Sequence, residues 1–205
     1  MTEPRISNRL SAAARGIGLP SGALDRLAER ASAEGLVDVA YTRHDTPIGE
    51  LLVAATPRGV VRISYLDWFP EDETLADLAR RVSPRVLESP GRLDELRREL
   101  DEYFEGGRRR FDVKLDRALL GPFARKVLGR TARIPYGKVS TYSEVATAAG
   151  SPGASRAAGN ALARNPIPIV IPCHRVLRRG GGMGGYAGGL DRKARLLALE
   201  GAIED

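Results

Sequence analysis

The stretch RAAGNALARNPIPIVIPCHRV, residues 156–176, decides how the C-terminal half of the chain is interpreted. RAAGNALARN carries alanine and leucine at helical spacing, and Asn165-Pro166 ends that helix because proline cannot continue it. The apolar segment IPIVIP then leads to Cys173-His174-Arg175. The stretch therefore predicts a helix, a sharp stop and a short apolar segment that delivers a thiol next to an imidazole.

A second helix is predicted immediately before this one. TYSE (141–144) is a capping box that opens the helix YSEVATAAG, and Gly150 closes it. SPG (151–153) turns the chain into the next helix, so two short helices are joined by about four residues, as in a helix-turn-helix. A purely structural pair of helices gives the same pattern. If the motif binds DNA, its second helix offers Arg156, Asn160 and Arg164.

The segment after the cysteine is rich in glycine. Seven of the ten residues 180–189 are glycine, which is typical of a mobile loop or of a loop that passes close to a ligand. GMGGYA (182–187) superficially fits the dinucleotide fingerprint, but only 18 residues follow it, too few for the βαβ unit that this site needs. A last helix is predicted over 190–201, and it bears Lys193 and Glu200.

The N-terminal half has the pattern of a small sheet with helices. VDVAYTRHDTPIGELLVAATPRGVVRISYLDW (37–68) alternates β-branched runs with turn signals, which predicts an antiparallel sheet. FDVKL (111–115) is predicted as a β-hairpin element that links this half to the next. Apolar residues at helical spacing predict helices over 21–35, 72–82 and 92–105.

Together these elements predict an α/β (α+β) fold in three parts. Residues 1–36 form a partly helical N-terminal extension, 37–107 a sheet-plus-helix domain, and 108–205 a mostly helical domain with the helix-turn-helix and the cysteine. The charge balance changes near the same boundary. Residues 1–105 hold 14 Lys+Arg against 19 Asp+Glu, whereas residues 106–205 hold 18 against 7. This asymmetry favours a polyanionic partner for the C-terminal half, although a solvated arginine-rich surface gives the same balance.

The composition excludes several classes of protein. With 205 residues, 42% hydrophobic and 28% charged, and a net charge of +6, the chain is typical of a globular protein. One cysteine excludes an intrachain disulfide, and with only two histidines we expect no Cys/His metal site. No apolar run approaches the roughly 18 residues of a membrane span, and the N-terminus lacks a signal peptide's apolar core. We therefore expect a cytoplasmic protein with a reduced thiol and no membrane association.

Cys173 is the candidate nucleophile. A free thiol with a pKa of about 8.5 is only slightly ionised at neutral pH, so a reactive cysteine needs assistance. His174 is adjacent, and since neighbours in an extended segment point to opposite faces, its help would act through the geometry of the turn or through a water. Glu200 is available to orient the imidazole in a Cys-His-acid relay. Without such partners, Cys173 would be a buried structural thiol.

Four strings carry a resemblance to one family: IPYGKVSTYSEVA (134–146), RAAGNALARNPIPIVIPCHRV (156–176), GGYAGG (184–189) and KARLLALEG (193–201). They are similar to the O6-alkylguanine-DNA alkyltransferases, also called methylated-DNA–protein-cysteine methyltransferases. The resemblance extends more weakly to residues 38–66 and is absent from residues 1–36. It implies a single-turnover repair protein that moves the alkyl group of O6-alkylguanine, and less efficiently of O4-alkylthymine, irreversibly to Cys173, without a cofactor.

The resemblance also implies roles in catalysis. His174 would act through a water as base, Glu200 would hold the imidazole, and Asn165 would brace the active-site turn. Tyr142 would donate to guanine N3, and Lys193 would polarise this tyrosine or support the Gly-rich loop.

The implied partner is double-stranded DNA that contains O6-alkylguanine, bound by a monomer with cooperative assembly on DNA left open. Arg156 would fill the stack vacated by the flipped nucleotide, and Tyr142 would rotate its phosphate. Ala187 departs from the family, in which a serine at this place often contacts the base. The implied pocket also contains the carbonyls of Cys173 and Val176, Tyr186 as an apolar lid, and Gly188.

Three other functions are compatible with parts of the pattern. A non-enzymatic lesion binder of the alkyltransferase-like kind would share the fold, but those proteins carry another residue in the position of Cys173. A cysteine hydrolase built on Cys173, His174 and Glu200 would turn over and would leave the helix-turn-helix unexplained. A plain DNA-binding regulator would select a sequence and not a lesion.

Overall fold

In the computed structural model, which describes Arg26, Arg30, Ala31 and residues 34–203, one four-stranded sheet organises the N-terminal half. Most of the predicted helix over 21–35 and of the predicted extension 1–36 lies outside the described residues. Arg26, Arg30 and Ala31, which are described, are helical. The strands are β1 (Val39–His44), β2 (Leu51–Thr56), β3 (Gly59–Tyr65) and β4 (Val86–Glu88), in the order β3-β2-β1-β4.

The sheet is mixed, so the prediction of a purely antiparallel sheet is wrong at one edge. The pairs β1–β2 and β2–β3 are antiparallel as predicted, but β4 pairs parallel to β1, with Val86 opposite Val39. The chain reaches β4 through the helix α1 (Glu71–Arg81), and such a helical crossover is what a parallel pair requires. β4 has only three residues, too few to give an alternating pattern in the sequence.

The segment FDVKL (111–115) is not the predicted hairpin element. Its only ladder contact is a single parallel bridge from Leu115 to Val60, flanked by backbone bonds of 2.8 Å from Val60 N to Lys114 O and from Asp116 N to Val60 O. Gly59 allows this close crossing, because a Cβ there would lie 2.3 Å from Lys114 O. The segment therefore crosses the start of β3 without adding a strand.

The remaining elements follow the predicted order. A 3-10 turn (Pro90–Leu93) leads into α2 (Asp94–Phe104). The C-terminal half then contains α3 (Pro122–Thr131), β5 (Ser140–Thr141), α4 (Tyr142–Ala148), α5 (Ser155–Ala163), a 3-10 turn (Cys173–Arg175), β6 (Val176–Leu177) and α6 (Leu190–Leu199). β5 and β6 form a two-stranded parallel sheet.

The capping box at the start of α4 is confirmed. The Thr141 hydroxyl accepts from Glu144 N at 3.2 Å, and the Glu144 carboxylate accepts from Thr141 N at 2.7 Å. Gly150 ends the motif's first helix at φ +78°, a conformation that only glycine adopts without strain. The two helices α4 and α5 thus form the predicted helix-turn-helix pattern.

One hydrophobic core crosses both halves of the molecule. Ile63 and Tyr65 of β3 and Leu100 of α2 belong to the same buried cluster as Val127 of α3 and Leu196 of α6. The backbone joins the halves as well, since Ile63 N donates to Pro166 O at 2.8 Å. The apolar segment that leads to Cys173 therefore packs directly against the edge of the N-terminal sheet.

Candidate active site

Asn165 braces the loop that carries the cysteine. Its amide nitrogen donates to Ile171 O at 2.8 Å and to Cys173 Sγ at 3.2 Å, and its amide oxygen accepts from Ile167 N at 3.1 Å. Within this loop Ile169 adopts φ +71°, a left-handed conformation that costs a non-glycine residue about 1–2 kcal/mol. One buried side chain thus holds both ends of a strained loop and touches the sulfur.

The thiol of Cys173 is buried. Only 5% of the residue is exposed. Burial raises the pKa of the Cys173 thiol, and this effect outweighs the opposing effects of the Asn165 amide and of the Lys193 cation. At neutral pH the sulfur is therefore protonated in the free protein.

His174 lies in the same 3-10 turn and has one paired and one free ring nitrogen. Its Nε2 lies 2.9 Å from Glu200 Oε1, and burial lowers the pKa of the imidazole. Since an ionised carboxylate can only accept, Nε2 carries the proton and Nδ1 presents the lone pair. Nδ1 is buried and has no hydrogen-bond partner in the described part of the chain. The ring is thus a neutral base whose free nitrogen is Nδ1.

Glu200 collects donors from three elements. It accepts from Arg175 Nε at 2.7 Å and Nη2 at 2.8 Å, from Tyr103 Oη at 2.7 Å and from Gly137 N at 3.3 Å. Burial alone would raise the pKa of Glu200, but the hydrogen bonds from His174, Arg175 and Tyr103 lower it to about 2. The carboxylate is ionised, and Arg175 supplies its counter-charge. Glu200 itself lies just beyond the last turn of α6, as its C-cap.

Sequence reasoning missed Arg175 and Tyr103. Arg175 directly follows the Cys-His pair, so its place in the same turn was the only available signal. Tyr103 lies on α2, 97 positions from Glu200, and nothing local in the sequence connects the two. Both side chains are buried, which makes them part of the site and not of its surface.

A cavity of about 350 Å³ opens beside the sulfur. It lies between the helix-turn-helix and the Gly-rich loop. The residues that line it are Tyr142, Ser155, Arg156, Gly159, Leu162, Ala163, Cys173, Arg178, Gly184, Gly185 and Tyr186.

The Gly-rich loop is shaped around two tyrosines. A Cβ at Gly184, whose φ is +67°, would lie 2.4 Å from the hydroxyl of Tyr142. A Cβ at Gly188 would lie 2.5 Å from the ring of Tyr65, whose hydroxyl is 2.7 Å from that of Tyr186. The glycines at these positions therefore allow the loop to close on aromatic rings from both halves of the protein.

Lys193 supports the loop. Its ammonium group donates to Val176 O at 2.6 Å and to Met183 O. The side chain is fully buried, and burial lowers the pKa of Lys193 to about 8. Of the two roles expected for it, the contacts fit loop support, because Tyr142 Oη donates to Gly185 O at 3.4 Å instead. The Val176 carbonyl, expected to accept from the base, already accepts from this lysine.

Several predicted site residues lie elsewhere. Asn160, Arg164 and Ala187 line a separate cavity of about 860 Å³, which also contacts β3 and α1. Gly188 packs under the Tyr65 ring and does not line the cavity beside Cys173. The reason is geometric: α5 lies between the two cavities, so its Arg156 and Gly159 face the sulfur whereas Asn160 and Arg164 face the other side.

The described residues contain no group of three or more His, Cys, Asp or Glu side chains that could hold a metal ion. In the same residues no helix has the length and apolar character required to cross a bilayer.

The fold and the site together define a class of protein: an α/β chain in which a buried cysteine, backed by a buried His-Glu pair, lies beside a helix-turn-helix. Two family models match it. One describes the DNA binding domain of 6-O-methylguanine DNA methyltransferase and matches residues 122–202; the other describes the ribonuclease-like domain of the same protein and matches residues 39–117.

Individual proteins of this class are similar to the chain in sequence and in structure. The constitutive methylated-DNA--protein-cysteine methyltransferase of Bacillus subtilis is 38% identical over 163 residues, which cover 78% of this chain and 94% of the relative. Among solved structures, the O6-methylguanine methyltransferase of Mycobacterium tuberculosis is 36% identical, with a TM-score of 0.69 over 82% of this chain and 96% of that one. The structure of M. tuberculosis OGT in complex with DNA gives the same TM-score at 35% identity, over 80% of this chain and 93% of that one. The chain belongs to the 6-O-methylguanine DNA methyltransferase family.

Proposed function

We propose that this protein repairs O6-alkylguanine in DNA, and less efficiently O4-alkylthymine, by moving the alkyl group to its own Cys173. The observation that carries the proposal is the cavity in which the thiol meets Tyr142 and Arg156. At about 350 Å³ it has room for a single flipped base. A chain that differed at the cysteine could bind the lesion without repairing it, so the presence of Cys173 favours the enzyme over the alkyltransferase-like lesion binder.

The transfer is a displacement at the alkyl carbon. A new S–C bond forms from Cys173 Sγ as the C–O6 bond breaks, and the electron pair of the broken bond leaves with the purine. The thiol gives up one proton and the purine gains one, so the products are an S-alkylcysteine and ordinary guanine. No oxidant, metal or cofactor enters this balance. Since a thioether has no simple route back to a thiol, each molecule reacts once.

Proton removal from Cys173 is assigned to His174. Because the pKa of the thiol is raised, its proton must be taken up by a base. The free Nδ1 lone pair of His174, the next residue, can accept it. A water that bridges Nδ1 and Sγ would carry the proton. Glu200 stabilises the imidazolium that results, while Arg175 keeps the carboxylate ionised and in place.

Stabilisation of the departing purine is assigned to Tyr142. Burial raises the pKa of the Tyr142 hydroxyl, so this group keeps its proton at neutral pH and can donate it in a hydrogen bond to guanine N3. Its present contact to Gly185 O is long, 3.4 Å, and is readily exchanged for one to a base.

The DNA partner follows from the same cavity. O6 lies inside the duplex, so the nucleotide must be flipped out, at a cost of a few kcal/mol. Arg156, in the first turn of α5 and exposed, would fill the vacated stack. The excess of positive charge over residues 106–205 supports sequence-independent contacts to phosphates. We propose a monomer acting on double-stranded DNA in a reducing compartment, as expected for the cytoplasm.

An intact-protein mass tests the proposal. After incubation with a duplex that contains O6-methylguanine, we expect one added methyl group per molecule, located on Cys173 by peptide mapping, with no further increase on longer incubation. Cys173→Ser should bind the same duplex and keep its mass. An unchanged wild-type mass with tight lesion binding would mean a lesion sensor. Turnover of a small ester or peptide would mean that the protein is a hydrolase. Binding to one DNA sequence without preference for a lesion would mean that it is a regulator.

A further inference from the structure

The cavity beside Cys173 carries more positive charge than the flipped base itself requires. Its charged lining residues, in the part of the chain that the structure describes, are Arg156 and Arg178, and it contains no carboxylate. Neither guanidinium makes an ion pair or a side-chain hydrogen bond with any described residue. Arg156 is already assigned to the DNA stack. Arg178 belongs to a different element, the turn that follows β6, and has no role in the chemistry so far.

Arg178 is held by its backbone at the edge of the cavity. Its N–H donates to Gly182 O at 2.7 Å, and its carbonyl accepts from Gly181 N at 3.1 Å, which closes a tight turn. The stem of the side chain lies over Gly182, where a Cβ would lie 3.7 Å from Arg178 Cβ and Cδ. The side chain is exposed. Its positive charge still acts on Tyr142, where it lowers the pKa that burial raises. The backbone of Arg178 is therefore fixed, while its guanidinium group can bind a ligand.

We propose that Arg178 is a specificity-determining residue that binds an oxyanion carried by the flipped nucleotide. This inference rests on the proposed function. A guanidinium pairs with phosphate or carboxylate through two parallel hydrogen bonds, and such charge-assisted pairs are stronger where water is partly excluded. The purine is neutral, so an anion must come from its attachments. The two sources are the phosphate next to the flipped nucleotide and the carboxylate of an acidic O6 substituent such as carboxymethyl.

The experiment compares Arg178→Gln with Arg179→Gln. Arg179 is the matched control, because it is exposed, adjacent and equally charged, but it does not line the cavity and its charge acts on Glu144. Rates of alkyl transfer to Cys173 are measured with three substrates: O6-methylguanine in a duplex, O6-carboxymethylguanine in the same duplex, and O6-benzylguanine as a free base. The free base has neither a phosphate nor a carboxylate.

We expect R178Q to slow both duplex reactions about tenfold, R179Q to change them by less than about twofold, and neither variant to affect the free base. That result identifies the phosphate. A loss confined to the carboxymethyl duplex identifies the carboxylate instead. Equal losses in the two variants, or an equal loss on the free base, overturn the inference while the proposed function stands. A wild-type protein that is inactive on all three substrates overturns the proposed function, and the inference with it.

Discussion

Glu200 decides the charge state of the residues around it. Its carboxylate is fully enclosed and is paired through two atoms with the Arg175 guanidinium. Burial lowers the pKa of His174 and outweighs the opposing effect of Glu200, which Arg175 weakens by offsetting the negative charge, so the imidazole stays neutral. The free Nδ1 lone pair is a direct consequence. A single residue thus links the folding stability of the C-terminal half to its chemistry.

The pKa of Glu200 makes this link measurable. The folded value of about 2 lies below the ordinary value of 4.5, so the stabilisation is complete above about pH 5 and is lost as the pH falls toward 2. The shift corresponds to about 3 kcal/mol. In urea unfolding we expect the wild-type free energy of unfolding to fall by about 2 kcal/mol more between pH 6 and pH 3 than that of Glu200→Gln, because pH 3 is still above the folded pKa and part of the stabilisation remains there. Glu200→Gln should already have lost the whole contribution at pH 6.

The control is Glu105→Gln, which removes an exposed carboxylate at the end of α2. Its free energy of unfolding at pH 6 should stay within about 0.5 kcal/mol of wild type. If E200Q and wild type lose stability in parallel between pH 6 and pH 3, Glu200 is not the titrating group.

At the scale of single residues, the sequence predicted those site residues that lie near the cysteine along the chain or within the four segments that resemble the family. Asn165, His174 and Glu200 are brought to the sulfur or to each other, at 3.2 and 2.9 Å. Tyr103 was out of reach, because its contact to Glu200 depends on how α2 packs against the C-terminal half. A contact of that kind is set by tertiary packing and leaves no local pattern.

At the scale of elements, the Gly-rich loop is the part most dependent on its glycines. Lys193 ties down its first half through Met183 O, and the carbonyl of Gly188 near its end accepts from Arg192 at 3.0 Å. Between these anchors the loop approaches the Tyr142 hydroxyl so closely that only Gly184 fits. The loop therefore positions the tyrosine proposed to donate to the leaving base.

A comparison of Gly184→Ala with Gly181→Ala separates the effect of the close approach to Tyr142 from that of backbone strain. The added Cβ would lie 2.4 Å from Tyr142 Oη, so we expect transfer from both duplex and free-base substrates to slow at least tenfold as the tyrosine is displaced. Gly181→Ala is the matched control, since its φ of +87° imposes comparable strain of about 1–2 kcal/mol, but its Cβ meets nothing within 4 Å. It should react within about twofold of wild type. Equal losses in the two variants would assign the effect to loop strain and remove the positioning role.

The prediction of elements succeeded where local signals are strong and failed where they are weak. The capping box at Thr141 marked the start of α4 to the residue, because two reciprocal hydrogen bonds need specific side chains. Arg156, Asn160 and Arg164 were predicted together as the DNA-binding residues of the second helix, yet the structure divides them between two cavities. Which side of a helix faces which partner depends on neighbours on both sides, here β3 and the Gly-rich loop, and not on the helix sequence alone.

For the whole molecule, the two halves share one core and several aromatic contacts at the site. The hydroxyls of Tyr65 and Tyr186 lie 2.7 Å apart, and the Arg192 guanidinium lies 4.7 Å from the centre of the Tyr65 ring while its Nε donates to Ile48 O at 2.6 Å. These contacts join β3 and the loop after β1 to the Gly-rich loop, which bears Tyr186, and to α6, which bears Arg192. The N-terminal half thereby supports the pocket, and its Tyr103 also holds the Glu200 carboxylate in place.

A shared core predicts that the two halves unfold together. The chain has one tryptophan, Trp68, in the N-terminal half, and one cysteine, Cys173, in the C-terminal half, so each half has a natural reporter. We expect the urea midpoint from Trp68 fluorescence to coincide with the midpoint from short-pulse maleimide labelling of Cys173, which is only 5% exposed in the folded protein and is labelled faster once the C-terminal half opens. Tyr65→Phe removes one hydroxyl and leaves that of Tyr186 without its partner, at a cost of about 1 kcal/mol. Both midpoints should then fall by the same amount. A lower midpoint for Cys173 alone would show that the halves open separately, and that the contacts across the core do not hold the pocket closed.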